Sequence, residues 1–428
     1  MIERPAVQQA DLSVQDYVDS QRLKTAIAKL AEFGGREDGG VTRQTLSEID
    51  LASRRFLIDR ARALGCSVEV DECANLFFRR PGLQEDLPPV LTGSHGDTQP
   101  VGGKLDGAYG VLAGLEVIEA MNDAGIRTRK PIVVVAWTNE EGSRFGPGCM
   151  GSSAYVDPSR LQQYRHSQDS DKMTFGEAVD RALKEIADVP LRPQLQPIDS
   201  YIELHIEQGP VLENAGATLG VVTGIQSVRW YTVKLTGMAA HAGTTPMDLR
   251  QDAMAAAVQI AQELYAQAAA RAASQLRLTL GRWTVAPNSI NTIPGDVEFT
   301  VDMRCVDEQA LADFDAAFKR IVSDHPWSKR IEVACLFERA PTHFSQSMLD
   351  LIEDACARVS RHEGKAPPLR LTSGAFHDAM YLAGFCPTAM IFVPSKNGIS
   401  HNATEDTDHD DLVIGVKALA SAVTRLAA

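Results

Sequence analysis

Residues 88–145, PPVLTGSHGDTQPVGGKLDGAYGVLAGLEVIEAMNDAGIRTRKPIVVVAWTNEEGSRF, constrain the fold more than any other stretch of the chain. They read as strand, loop, helix, strand, loop. The apolar run from Pro89 to Thr92 is short and stops at Gly93, as a buried strand does. His95, Asp97 and, after a Gly-rich loop, Asp106 follow. Gly107 to Ala120 has helical spacing, with Val111, Leu112, Leu115 and Ile118 on one face. Ile132 to Trp137 predicts a second buried strand, with Glu140 and Glu141 just past its end. One βαβ unit thus delivers a His, two Asp and two Glu to one end of a parallel sheet, where sites in open α/β sheets are built. Carboxylates this close repel one another unless positive charge lies between them. A pair of divalent metal ions meets that need.

The flanking segments extend the plan. Residues 15–35 and 43–65 have helical periodicity, the second ending on Gly65. Ser67–Val70 and Asn75–Arg79 read as a strand pair. Residues 155–195 are polar and helix-rich, an expected insertion over the sheet. Ser200 to His205 is a further strand, followed by IEQGP. The character then changes. Val221 to Leu235 is β-branched and alternating, an expected single long strand. The stretch GMAAHAGTTPMDLRQDA leads into an Ala-rich helix reaching about Arg271. Gln275–Val285 and Asp296–Arg304 alternate as strands, Glu308–Val322 is helical, and Arg330–Phe337 is a last strand. The order β-α-β-β-α-β is that of a ferredoxin-like unit, here of about 120 residues, a normal domain size. Afterwards the α/β pattern resumes with a helix at Ser345–Ser360, a loop and helix at TSGAFHDAMYLAGF and a strand at TAMIFVP. A loop carrying His401 and a closing helix, Asp411–Leu426, complete it. The expected fold is α/β. A discontinuous catalytic domain, residues 1–220 and 341–428, has a mainly parallel central sheet flanked by helices. A βαββαβ domain, residues 221–340, is inserted into it.

A chain of 428 residues can build both domains around a large core. Its formal net charge of −14 argues against nucleic acid, which needs a basic face. The Cys count is odd, seven, with no CxxC pair, which fits free thiols in a reducing, cytoplasmic setting. The stretch MIERPAVQQADLSVQDYVDS has no apolar core and is expected not to be a signal peptide. No apolar run is long enough to span a membrane.

Two metal ions need imidazole and oxygen ligands and a carboxylate to bridge them. His95, Asp106, Glu141, His205 and His401 each follow a predicted buried strand or sit in a turn. Singly, each has a plainer reading: a core His, or for Asp106 a turn or helix cap. Jointly they point to metal. Adjacent Glu140 and Glu141 point in different directions, so one can ligate while its neighbour takes a proton from water and returns it to a leaving nitrogen. A solvated acidic loop is the plainer alternative, weakened by Trp137, Phe145 and the run GPGCMGS. In the inserted segment His241 lies among Ala and Gly, which permit close approach of a ligand or second chain. Asn288 and Asn291 lie in PNSINTIPG, and Arg304 ends a strand. Arg304 suits either a bidentate grip on a carboxylate or a surface ion pair.

The motifs GSHGDTQPVGGKLDGAYGVLAGLEV, TNEEGSRFGPGCMGS, ELHIEQGPVLE, GMAAHAGTTPMDLRQDA, PNSINTIPG and ISHNATEDTD together resemble the hydantoinase/carbamoylase amidase branch of the dinuclear-metal aminoacylase/carboxypeptidase superfamily. That branch contains N-carbamoyl-L-amino-acid hydrolases, allantoate amidohydrolases and β-ureidopropionases. HIEQGP is the most branch-specific, because relatives outside the branch usually carry a carboxylate in the place of His205. The resemblance implies one metal on His95, Asp106 and His205, and a second on Asp106, Glu141 and His401. Zn, Mn, Co and Ni all suit such a ligand set. It implies Glu140 as general base, Asp97 as a support for the His95 ring, and His241 as an oxyanion-stabilising lid residue that acts in the partner subunit of a homodimer. Gln208, Asn291, Arg304, Gly374 and Ala375 resemble substrate contacts, with Arg304 on the carboxylate. The inserted domain would be the lid and dimerisation domain. Phe376 departs from the small residue common in the SGAxHDA loop and bears on the substrate rather than the chemistry. The implied activity is hydrolysis of an N-carbamoyl L-amino acid or related ureido acid, giving ammonia and carbon dioxide. An aminoacylase or dipeptidase of the same superfamily is an alternative. A non-catalytic binding protein on this fold is another, but it would be expected to have lost ligands or the base.

Overall fold

The computed structural model describes residues 14–193 and 196–428. Residues 1–13, most of the stretch read above for a targeting signal, and residues 194–195 of the polar insertion lie outside them. The chain forms two compact units: one runs to Thr223 and resumes at His343, and the other is Gly224–Thr342.

The first unit is built on a nine-stranded sheet among the described residues. Its central run is ordered Ser67–Val70, Leu76–Arg80, Ile132–Trp137, Val90–His95, Ser200–Ile206, Thr388–Val393 and Gly220–Ile225. Val90–His95 pairs in parallel with both its neighbours, and Thr388–Val393 is parallel to Ser200–Ile206. The strands towards the two edges join antiparallel. The four parallel strands are buried at every position, which is why they are predominantly apolar without alternation, their polar residues Thr92, Ser94, His95, Ser200, Glu203, His205 and Thr388 being buried as well. Their C-terminal ends share one edge of the sheet, so His95 and His205 are neighbours without any long-range loop to place them.

The helix between the first two parallel strands, Ala108–Asp123, is buried around almost its whole circumference. The sequence suggested one apolar face. The other face is also covered, because the helices Ser20–Ala31 and His409–Leu426 pack on it. A helix enclosed this way needs no polar side, and its glycines and alanines admit the neighbours closely.

The second unit is a five-stranded antiparallel sheet ordered Trp283–Ala286, Asp296–Cys305, Ser227–Thr236, Ile331–Arg339, with Arg277–Thr279 also on Asp296–Cys305. Burial alternates along Asp296–Cys305, so Val297, Phe299, Val301 and Met303 join a core with Phe314 and Phe318. The helices that supply that core, Ala253–Ala269 and Glu308–Asp324, start on Asp252 and Asp307, each accepting hydrogen bonds from two N–H groups of the first turn. A separate two-stranded ribbon pairs Ala240–His241 with Thr292–Ile293.

Two strand assignments change. The expected single strand from Val221 to Leu235 is two, Gly220–Ile225 in the first sheet and Ser227–Thr236 in the second. Both halves are β-branched, so composition did not mark the break; the burial patterns do, continuous in the first and increasingly alternating in the second. The expected strand Gln275–Val285 is also two, Arg277–Thr279 and Trp283–Ala286, parted at Gly281. No helix among the described residues is long and apolar enough to cross a membrane. All seven Cys are free, and only Cys335 is exposed.

Candidate active site

His95 closes its strand and is 1% exposed. Its Nδ1–H donates to the backbone carbonyl of Asp97 at 3.0 Å, which leaves Nε2 as the nitrogen that takes a further proton or a cation. That nitrogen faces Asp106 Oδ1 at 3.7 Å and Glu140 Oε2 at 3.5 Å. His205 repeats the arrangement. Its Nδ1 bonds the Ile206 carbonyl at 2.9 Å, and Nε2 lies 3.2 Å from the same Asp106 oxygen. On the other side of Asp106, Oδ2 is 3.3 Å from His401 Nε2, which is itself 3.4 Å from Glu141 Oε2. Asp106 therefore turns one oxygen to each of two donor sets: His95 with His205, and His401 with Glu141. Within each set the ligand-type atoms lie within 4.8 Å of one another.

A lone pair of neutral imidazole set against a carboxylate oxygen is repulsive unless a proton or a cation lies between them. The charge balance says the same. Burial lifts Glu140 well above the usual carboxylate range. Burial, with Asp106 alongside, lifts Glu141 to about 7. Burial alone would lower His95, but Glu140, Asp106 and Asp97 outweigh it and hold the ring well above its ordinary value. Contact with Asp106 lifts His401 to about 9. The residues present fit a dinuclear cation centre: six ligand positions, counting Asp106 twice, of mixed nitrogen and oxygen type around an excess of negative charge.

The backbone is shaped to this cluster. Gly107 has φ +64°, and a Cβ there would lie 2.3 Å from the His95 ring, so a side chain is barred on both counts. Its N–H donates to His205 Nε2 at 3.1 Å. Asp97 supports the His95 ring through its backbone carbonyl. Its carboxylate, 3.8 Å from His95 Nδ1, instead accepts the N–H groups of Glu140 and Glu141, both at 3.3 Å. Gln99 holds Glu141 by donating from its N–H to Oε1 at 3.0 Å and from its amide to Oε2 at 2.7 Å. Glu140 is gripped by Cys149, whose N–H donates to the Glu140 carbonyl at 2.8 Å and whose thiol lies 3.4 Å from Oε1.

Sequence reasoning did not find Gln99, Cys149, Glu203, His377, Asp378, Ser400 or Glu405. His377 stands edge-on to His205, ring centroids 4.6 Å apart, and burial together with His205 holds it well below its ordinary value. Glu203 lies buried beneath, accepting from Ser94, Tyr201 and the N–H of Ala379. His377 and Asp378 follow Phe376 in the SGAFHDA loop, and Ser400 and Glu405 flank His401. Proximity to a named motif is the one signal that pointed to them.

The expected substrate contacts fall in both units. In the first, Gln208 donates its amide to Asp106 Oδ2 at 2.8 Å and leaves Oε1 buried without a partner. Gly374 and Ala375 lie in the loop closed by Ser373, which accepts the Ala375 N–H at 3.1 Å, and Phe376 is half-buried beside them. In the second, the short ribbon sets His241 opposite Thr292 and joins Ala242 N–H to the Asn291 carbonyl at 3.0 Å, so His241 and Asn291 are neighbours. Arg304, for which the sequence left two readings open, makes an ion pair with Asp302 at 2.9 Å within its own strand.

The profile of peptidase family M20/M25/M40 matches residues 91–425. An N-carbamoyl-L-amino-acid amidohydrolase of Rhizobium meliloti is 36% identical over 415 residues, covering 96% of this chain and 97% of the relative. An allantoate amidohydrolase of Escherichia coli (strain K12) is 35% identical, covering 95% and 98%. The solved structure of an amidase of the hydantoinase/carbamoylase family from Burkholderia multivorans is 41% identical, with a TM-score of 0.84 over 96% of this chain and 98% of that one.

Proposed function

The chain belongs to peptidase family M20/M25/M40, and from that membership we propose that it hydrolyses the ureido C–N bond of an N-carbamoyl L-amino acid or a related ureido acid such as allantoate. The observation that carries the reading is the buried Glu140 beside an Asp106 whose two oxygens address separate imidazole sets. The activities of the aligned relatives support the substrate class. His95, Asp106 and His205 would hold one divalent cation and Asp106, Glu141 and His401 another, and these, when bound, supply Lewis acidity and acidify a water molecule.

The chain's own residues do the rest. Glu140 lies close to the cluster but has an oxygen held by Cys149, so it is aimed as a base rather than consumed as a ligand. It takes a proton from the attacking water as oxygen bonds to the ureido carbonyl carbon. It then delivers that proton to the amino-acid nitrogen as the C–N bond breaks. The products are the free amino acid and carbamate, which falls apart to ammonia and carbon dioxide. The unpartnered Oε1 of Gln208 is an acceptor for a ureido N–H. In this reading Arg304 takes the substrate carboxylate, exchanging Asp302 for it, with Asn291 beside it. Gly374 and Ala375 line the substrate, Phe376 limits its side chain, and His241 stabilises the oxyanion from the partner subunit of a homodimer. The Gly224–Thr342 unit serves as lid and dimerisation domain.

Ammonia release from a panel of N-carbamoyl amino acids, allantoate and N-carbamoyl-β-alanine, with added Mn²⁺ or Zn²⁺, tests the reading. Faster release of free amino acid from an N-acetyl amino acid or a dipeptide, read by amine detection, would reassign the substrate class. Glu140→Gln should lower kcat by about 10³-fold or more with metal content unchanged. Near-normal rates in that variant would remove Glu140 from its role.

A further inference from the structure

We infer that Glu405 is a positioning residue for the second metal subsite, clasping the Asp106 loop to the His401 loop at the separation that subsite requires. The inference rests on the metal-centre reading above and deepens it.

His95 and His205 are placed by adjacent parallel strands. His401 is not: it lies in irregular backbone beyond the last parallel strand, at φ +52°. The bridging Asp106 also lies in a loop, and 294 positions separate it from Ser400. One buried carboxylate joins these loops. Glu405 Oε1 accepts the N–H of Leu105 at 3.0 Å and of Asp106 itself at 3.1 Å. Glu405 Oε2 accepts the hydroxyl of Ser400, the residue before His401, at 2.8 Å. Each oxygen thus grips a ligand or its immediate neighbour. The seat is cut to fit: a Cβ on Gly103 would lie 2.1 Å from Oε1. With three donors satisfied, Glu405 is a clasp and not itself a ligand.

Ser400 sharpens the point. Its hydroxyl has one proton and two acceptors, Glu405 Oε2 and Asp106 Oδ2 at 3.0 Å. Once Oδ2 is engaged as a ligand, that proton belongs to Glu405, so filling the subsite tightens the clasp. Asp406 supplies an internal contrast. It ties the same two loops through Lys104 at 3.2 Å, with Lys396 of its own loop at 2.7 Å, but as exposed ion pairs of little worth.

The test is Co²⁺ or Zn²⁺ titration of the chelator-stripped full-length protein, read by calorimetry and by the Co²⁺ visible spectrum, with thermal melting as the folding control. Glu405→Ala should weaken one of two sites by about 10–100-fold, the effect of losing a supporting partner. Glu405→Gln keeps an oxygen for the two N–H groups and presents an amide that Ser400 can accept from. It should stay within about threefold of the unaltered protein. Gly103→Ala, which displaces the carboxylate without removing it, should weaken the same site, and Asp406→Asn neither. A folded Glu405→Ala protein that binds two ions normally overturns the inference, as does a Gln variant as weak as Ala. If Glu405→Ala does not fold, unchanged binding by Gly103→Ala overturns it. An unaltered protein that binds no metal fails earlier, at the metal-centre reading itself.

Discussion

The two sides of the candidate centre share Asp106 and differ in almost everything else. His95 and His205 are both 1% exposed, end adjacent parallel strands, and have their Nδ1 atoms tethered to backbone carbonyls. His401 has a side chain 50% exposed, sits on a loop and has no strand behind it. Its partner Glu141 also comes from a loop, steadied by Gln99. One side is preorganised by the sheet. The other is assembled from loops, and its geometry is only as good as the side-chain hydrogen bonds between them. A ligand on a strand end costs nothing further to place, whereas a ligand on a loop needs a second layer of residues to hold it.

The most damaging way to break the comparison is to unmake the residue both sides share. Asp106→Asn removes the bridging charge, and both ions should be lost, with ammonia release falling by about 10⁴-fold or more. Metal analysis showing two ions still bound would dissolve the two-sided picture. A sharper experiment separates the sides. His205→Ala removes a buried ring packed on His377 and Phe392 and should cost about 2–4 kcal/mol of stability along with its metal. His401→Ala should lose one ion and, compared at a pH above about 9 in stripped protein where the His401 proton no longer contributes, cost less stability than His205→Ala, because a half-exposed ring leaves no cavity behind. Denaturant melts of the two variants decide the matter, and equal destabilisation would contradict it.

The smallest effect concerns protons in the metal-stripped protein. Glu141 is raised to about 7 by burial, so the folded state keeps a proton that the unfolded carboxyl, near 4.3, has released. Stability is therefore lost as pH rises from about 4.5 to about 7. His401 is raised to about 9 by Asp106, so its contribution is complete below about 6.5 and lost as pH climbs through 9. Both signs agree: the stripped protein should melt lower as pH rises from 5 to 9. Metal-loaded protein, whose cations take the place of those protons, should vary less. Melting curves that are equally flat with and without chelator would mean that these groups are not where the protons go.

Much of this architecture was legible beforehand, for a definite reason. Ile132–Trp137 announces itself because a strand covered on both faces is apolar throughout, and Ser200–Ile206 does so less cleanly, its Tyr, Ile and Leu interrupted by the buried Glu203 and His205. Where that rule gives no contrast, a strand boundary leaves no mark in the sequence. Gly220–Ile225 and Ser227–Thr236 are both β-branched, and nothing local says that the chain changes sheets between them. The helix Ala108–Asp123 showed an apolar stripe, but that it is enclosed on the far side depends on helices from both ends of the chain.

The sequence by itself determined that acidic and imidazole side chains would gather beyond the ends of buried parallel strands, because strand periodicity and turn residues act over a few neighbouring positions. Only the tertiary structure decided which oxygen of Asp106 faces which ring, that the Asp97 carboxylate serves the Glu140 turn rather than His95, and that Glu405 joins two loops 300 positions apart. Those outcomes rest on contacts between groups that lie from 43 to 300 positions apart, and no pattern along the chain encodes such a distance.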